Sequence, residues 1–144
     1  IYQTDADAAF IKANNGIDTT HIAKNGGSIW NASTYQLPIN TEVCKYGCAT
    51  QFTSGHIIGN AGQYYAKDYL TGKTHQFVSQ GVADYGSASG DSGSPIMIYE
   101  GNYGGQSKYT LYGIHSGSSN SNDKRFFSFY RNIKNRLGVV CITE

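Results

Sequence analysis

The stretch Gly90-Asp91-Ser92-Gly93-Ser94-Pro95 decides how the chain is read. A serine that attacks a carbonyl must sit on a tight loop whose backbone N–H groups also point at the developing oxyanion, so its neighbours must be small and free to take positive φ. Gly90 and Gly93 flank Ser92 with that freedom. Asp91 can anchor the loop through its carboxylate, and Ser94-Pro95 leads into the apolar run Ile96-Met97-Ile98-Tyr99, which reads as a strand. On local chemistry alone, a Gly/Ser hairpin loop ahead of a strand fits the same six residues.

The chain has 144 residues, enough for one domain with its own core or for one and a half small barrels. Charged residues make up 15% of it against an average of about 25%, while Gly (18) and Tyr (12) are plentiful, the profile of a β-rich secreted protein. A net charge of +1 creates no global field to recruit nucleic acid or a membrane surface. Lys124, Arg125, Arg131, Lys134 and Arg136 gather near the end and read as a solvated terminal face. No apolar run reaches transmembrane length and no signal-peptide pattern is present, so the expectation is of mature residues of an extracellular protein.

Cys44, Cys48 and Cys141 make an odd count, which allows one internal disulfide and leaves one thiol over. Extended chain separates Cys44 from Cys48 by roughly 13 Å, too far to bond, so Cys141 is the natural partner for one of them. The C-x-x-x-C spacing is a weak zinc signal without a second Cys pair or a His pair, and no metal or cofactor is expected.

From Thr41 onward short strands alternate with turn residues, at about 41–47, 50–59, 63–69, 74–84, 95–100, 108–116 and 125–129. That pattern favours an all-β fold, a closed antiparallel barrel. One helix is convincing: Tyr130, Ile133 and Leu137 recur at i, i+3 and i+7, and Gly138 stops the pattern. Residues 14–40 are rich in Asn, Gly, Thr and Ser, read as a connection, and contain the loop histidine His21. Ahead of them, Asp7-Ala8-Ala9-Phe10-Ile11 places an acid at the mouth of a short apolar strand.

Gly90 to Pro95 resembles the nucleophile loop of the trypsin and chymotrypsin-like serine peptidases. The resemblance implies that Ser92 is the nucleophile and that the N–H groups of Gly90 and Ser92 form the oxyanion hole. The segment at Asp7, with Ala two places on, is similar to the one that carries the triad aspartate; Asp5 would put a second charge inside the run. Val43-Cys44-Lys45-Tyr46-Gly47, continuing through Thr50, Thr53 and Gly55 to Ile57, resembles the strand pair that opens the second barrel in the streptogrisin and alpha-lytic branch. There the basic residue after the cysteine pairs with the loop aspartate, which implies a buried ion pair between Lys45 and Asp91. Ser54 stands where that branch places the partner cysteine, so the disulfide arrangement must differ. Phe126 to Ile142 also resembles that branch's ending. The implied architecture is the antiparallel second β-barrel of a two-barrel chymotrypsin-like fold with a C-terminal helix. Residues 1–13 are its last first-barrel strand, 14–40 the inter-barrel connection, and 41–144 the second barrel with the helix.

A serine triad also needs an imidazole as general base. In the resembled family that histidine precedes the aspartate, yet no His precedes Asp7, and His21, His56, His75 and His115 all follow it. The expectation is therefore a heterodimer, in which a separate N-terminal chain of the same cleaved peptidase carries most of barrel one and the base. A catalytically inactive peptide-binding or regulatory module is the other function class; intact Ser92, Asp7 and glycine-rich hole favour the peptidase. Cys44 or Cys48 as a thiol nucleophile has no neighbouring base in its favour.

In the trypsin-like arrangement the specificity pocket would be lined by Gly86-Ser87-Ala88-Ser89 and Gly113-Ile114-His115-Ser116-Gly117-Ser118. The first stretch lacks the carboxylate that a preference for Lys or Arg requires. His115, Ser89 and Ser118 resemble the set that reads glutamate in the glutamyl endopeptidases, and an imidazole among hydroxyls suits a carboxylate. Ser116 and Gly117 would hold an extended peptide substrate as an added strand.

Overall fold

A computed structural model of the chain describes residues 2–8, 27–119, 123–141 and 143. Residues 9–13 of the expected first strand, and residues 14–26 with His21, lie outside them. The elements are β1 (Tyr2–Thr4), β2 (Ser28–Ala32), β3 (Glu42–Gly47), β4 (Gln51–Lys67), β5 (Thr74–Ala83), β6 (Pro95–Tyr103), β7 (Gln106–Ser118), β8 (Arg125–Phe129) and α1 (Tyr130–Leu137). β3 pairs with β4, β4 with β5, β5 with β8, β8 with β7, β7 with β6, and β6 returns to β3, every pair antiparallel. This is the closed barrel with a C-terminal helix that the residue pattern leads one to expect; closure leaves none of these strands with an open edge.

Period-two alternation sends the strand residues to two places. Val43 and Ile96 join Ile57, Ala83, Tyr85 and Phe127 in the barrel interior. Their neighbours Cys44 and Met97 face outward and are covered, with Tyr109 and Leu111, by Tyr130 of the helix, Ile29 and Cys141.

Three details differ from the sequence reading. Residues 51–67 form one strand where two were expected, because Gly59, Asn60 and Gly62 produce not a turn but register shifts against β5. Bulges of that kind bend a strand round a barrel. β2 forms inside the expected connection, pairing in parallel with the first half of β7, and Trp30 stacks on Tyr103 at 5.2 Å. Finally, none of the cysteines is in a disulfide: the Cys44 thiol donates to the Met97 carbonyl at 3.4 Å, Cys48 is exposed, and Cys141 packs on the outer cluster that includes Cys44. Burial pushes the Cys44 thiol up to about 12, which leaves it inert as a nucleophile.

The helix begins straight from β8, buries Tyr130 and Ile133, and ends at Gly138, whose φ of 65° lets its N–H reach the Lys134 carbonyl at 2.9 Å. Leu137, the third residue of its apolar pattern, faces solvent.

Alternation on β3 also directs Lys45 into the barrel, where it lies 2.9 Å from Asp91 with both side chains fully buried. The Asp91 carboxylate further accepts from the Thr50 hydroxyl at 2.6 Å and from the N–H groups of Ala49 (2.8 Å), Ala88 (3.0 Å) and Thr50 (3.2 Å). A side chain on Gly47 would overlap both Lys45 and Asp91, so the strand can carry only glycine there. Burial alone would raise Asp91, but the Thr50 hydroxyl, Lys45 and the amides outweigh it and hold the carboxyl well below the usual range. The Asp91 contribution to stability is therefore complete above its ordinary value of 3.8 and is lost as pH falls below it. Lys45→Met leaves a buried charge unpaired and should lower the unfolding free energy by about 3–5 kcal/mol in a urea titration at neutral pH. A variant as stable as its parent would refute the role of the pair.

Candidate active site

The 90–95 loop is built by fixing the residues around Ser92. Asp91 donates its N–H to the Ala88 carbonyl at 3.1 Å, and the Asp91 carbonyl accepts from the N–H of Ser94 at 3.0 Å and from its hydroxyl. Strand β7 grips the far side: Gly93 N–H donates to the His115 carbonyl at 2.9 Å, and His115 N–H donates to the Ser94 carbonyl at 2.8 Å. Gly90 and Gly93 sit at φ of 101° and 88°, values that a side chain would strain. Ser92 is left exposed at the tip. Among the described residues the N–H groups of Gly90 and Ser92 have no protein acceptor, which leaves both free to meet an oxyanion. The Ser92 hydroxyl reaches the Ser116 carbonyl at 3.4 Å and, among the described residues, no imidazole.

Asp7 is held by barrel residues that the sequence did not single out. Its N–H donates to the Ser128 hydroxyl at 2.7 Å, and that hydroxyl donates to Gln80 Oε1 at 2.9 Å; Ser128 and Gln80 are fully buried. The Ser116 and Ser128 hydroxyls meet at 3.3 Å. Tyr64 donates to Asp7 Oδ2 at 2.8 Å, its ring stacked between Phe77 and Phe126 at 4.8 and 5.1 Å. Burial first, then the Asp7 charge, raises the Tyr64 phenol far above its ordinary value, so it remains a donor. Asp7 Oδ1 has no partner among the described residues. Asp5 is occupied elsewhere: its carbonyl accepts from Gln80 and Asn132, each at 3.1 Å, and its carboxylate from Arg136 at 2.7 Å.

The expected pocket residues are distributed unevenly. Ser89 and Ser118 are exposed, Ser116 and Gly117 half-buried, and His115 is only 3% exposed. The His115 imidazole pairs through Nδ1 with the hydroxyl of buried Tyr85 at 2.9 Å and meets its ring edge-on. Burial, with Lys45 second, lowers it to about 4, so the ring is neutral at neutral pH. No hydrogen bond joins it to Ser89 or Ser118. The other described histidines lie elsewhere: His56 is exposed on β4, and His75 stacks against Tyr2 and Phe77. Arg125 departs from the solvated face expected of the terminal cations, with its side chain 16% exposed. Tyr64, Tyr85, Gln80 and Arg125 carry no motif; only the folded barrel brings them to the site. Among the described residues no cluster of His, Cys, Asp or Glu could hold a metal, and no helix is long and apolar enough to cross a membrane.

Comparison with known proteins bears on the fold and the family. A chymotrypsin from Cellulomonas bogoriensis superposes with a TM-score of 0.71 at 23% identity, covering 97% of this chain and 71% of that one. Protease A of Thermobifida fusca gives 0.60 at 22% identity, covering 84% and 59%. A glutamic acid-specific serine protease, described as using a histidine triad in substrate binding, gives 0.62 at 22% identity, covering 90% and 64%. The chain thus spans between 59 and 71% of the length of these structures, and at such identities the likeness shows the fold. No curated protein matches the sequence. The trypsin family pattern, in contrast, matches residues 2–140, nearly the whole chain, and the chain belongs to the trypsin family.

Proposed function

We propose that this chain is the C-terminal portion of a secreted serine endopeptidase, completed by a separate N-terminal chain that supplies the general-base histidine. The observation that carries the reading is an exposed Ser92 on a loop immobilised by Asp91, with the Gly90 and Ser92 amides unpaired and Asp7 held with one carboxylate oxygen to spare. In the complete assembly an imidazole would bond to Asp7 Oδ1 and take the Ser92 proton as the hydroxyl attacks the substrate carbonyl. The oxyanion would be met by the two amides, and water would hydrolyse the acyl-enzyme through the same groups.

A preference for glutamate before the scissile bond belongs to the same proposal. It is supported by the likeness of His115, Ser89 and Ser118 to the glutamate-reading set and by the glutamic acid-specific neighbour. The construction differs from the histidine triad named for that neighbour: here His115 is backed by Tyr85, and no other described histidine lies beside it.

Fluorophosphonate labelling of the complete assembly tests the reading. One adduct on Ser92, absent in Ser92→Ala, is the expected result; an unlabelled assembly with unchanged peptide affinity would make the chain a binding module instead. Tyr64→Phe removes a charge-assisted hydrogen bond of about 1.5–3 kcal/mol from Asp7. It should lower kcat by roughly ten- to a hundred-fold with little change in KM, and an unchanged kcat would show that Tyr64 does not position Asp7. His115→Val should spare hydrolysis of neutral substrates and reduce that of glutamyl ones. Lys45, Arg125 and Asp91 act electrostatically on the buried ring, beside its Tyr85 contact, and their net effect with burial leaves it uncharged well above pH 4. The glutamyl preference should therefore not follow a histidine titration between about pH 6 and 8.

A further inference from the structure

We infer that Arg125 supplies the fixed positive charge that selects an acidic substrate side chain, from the inner face of the pocket behind Ser118 and beside His115. The inference rests on the peptide-cleft reading given above and deepens it.

The register places the residue. Arg125 opens β8, where it pairs with Ala83 on β5 and Ser118 on β7; two residues on, Phe127 pairs with Gly81 and His115. Residues paired across a ladder share a face, and so do residues two apart along a strand. Phe127 is fully buried in the barrel interior with Ala83 and Tyr85, so Arg125 points inward at the same end. Its neighbours Lys124 and Phe126 point the other way and line an outer cleft with Val82.

The guanidinium there is poorly matched by the protein. Arg125 Nε is buried without an acceptor among the described residues. Among the described residues the terminal nitrogens make only long contacts, 3.4 Å to the Lys124 carbonyl and 3.8 Å to the carboxylate of Asp123, which is fully exposed. A guanidinium always carries its charge and brings donors in a fork that fits a carboxylate. Holding one mostly out of water with a donor unpaired is unfavourable, and a distant surface carboxylate offsets little of that cost. The neutral His115 ring, tied to Tyr85, can orient a carboxylate but brings no charge to it. An acidic side chain entering between Ser118 and His115 would satisfy what Arg125 lacks.

The test uses the complete assembly and a matched pair of peptides carrying Glu or Gln at the position before the scissile bond. Binding is read calorimetrically on the Ser92→Ala form, and kcat/KM on the form that retains Ser92. The glutamyl peptide should bind roughly ten-fold to a hundred-fold tighter than the glutaminyl one, the range of one or two charged hydrogen bonds. Arg125→Gln should bring the two within about three-fold by weakening the glutamyl peptide alone, and Arg125→Lys should restore part of the preference. Equal weakening of both peptides would assign Arg125 to bracing the β7–β8 pairing and overturn the inference, as would a glutamyl preference that survives Arg125→Gln. If the parent shows no glutamyl preference, the acidic-specificity reading and the inference fall together. If no turnover or fluorophosphonate adduct is seen while glutamyl binding still depends on Arg125, the peptidase reading fails and the role of Arg125 stands.

Discussion

The site depends on a charge buried where water cannot reach it. Asp91 must be ionised to collect the donors around it, and an ionised carboxylate survives in the barrel interior because Lys45, Thr50 and three backbone amides converge on it. Those donors come from β3, from the turn after it and from the residues just before the 90–95 loop. One side chain thus ties the loop to strands formed more than forty residues earlier. Replacing such a pair with apolar residues is often neutral for stability in other proteins, so its value here lies in geometry. Asp91 is the residue immediately before Ser92, and with its carboxylate and backbone both fixed, the Ser92 N–H has little freedom left.

A second constraint holds the acid. Asp7 lies at the start of the chain, yet it is clasped by residues of β4, β5 and β8. Gln80 links both ends of this clasp: its amide nitrogen donates to the Asp5 carbonyl, and its oxygen accepts from the Ser128 hydroxyl that receives the Asp7 N–H. Each buried polar group in this chain of contacts is satisfied by the next, which is the condition under which a polar network rigidifies a fold. The barrel therefore orients both Ser92 and the Asp7 carboxylate with its own residues.

What was legible in the sequence follows from how local each cause is. The 90–95 loop reads as a tight turn from its glycines, but its role was read only through resemblance, because a Gly/Ser hairpin loop fits the same six residues. The barrel reads from short strands and the helix from its period. Lys45 was paired with Asp91 only through resemblance, since nothing in the spacing of the two residues joins them. β2 was missed because Ile29-Trp30 is a short apolar signal in a polar stretch, and β4 was divided because glycines that bend a strand look the same in sequence as glycines that end one. Tyr64, one of twelve tyrosines, and Arg125, one of a run of terminal cations, could not be singled out. Whether such a side chain faces solvent or the site is fixed by cross-strand register, which only the closed barrel sets.

The described residues divide the chemistry of the site unequally. Groups suited to stabilise negative charge or fix geometry are present: free amides at Gly90 and Ser92, and a carboxylate with an oxygen to spare. A group able to take a proton from Ser92 is not. The Ser116 carbonyl that its hydroxyl reaches can accept a hydrogen bond but not a proton. Tyr64 keeps its own proton, and His115 is lowered to about 4 and engaged by Tyr85 beneath the loop, too weak a base and turned to another partner. An oxyanion hole without a base stabilises a state that the serine alone reaches too slowly to matter. Any proton acceptor for Ser92 therefore lies outside the described residues, and the open oxygen of Asp7 marks the side of the barrel from which it would approach.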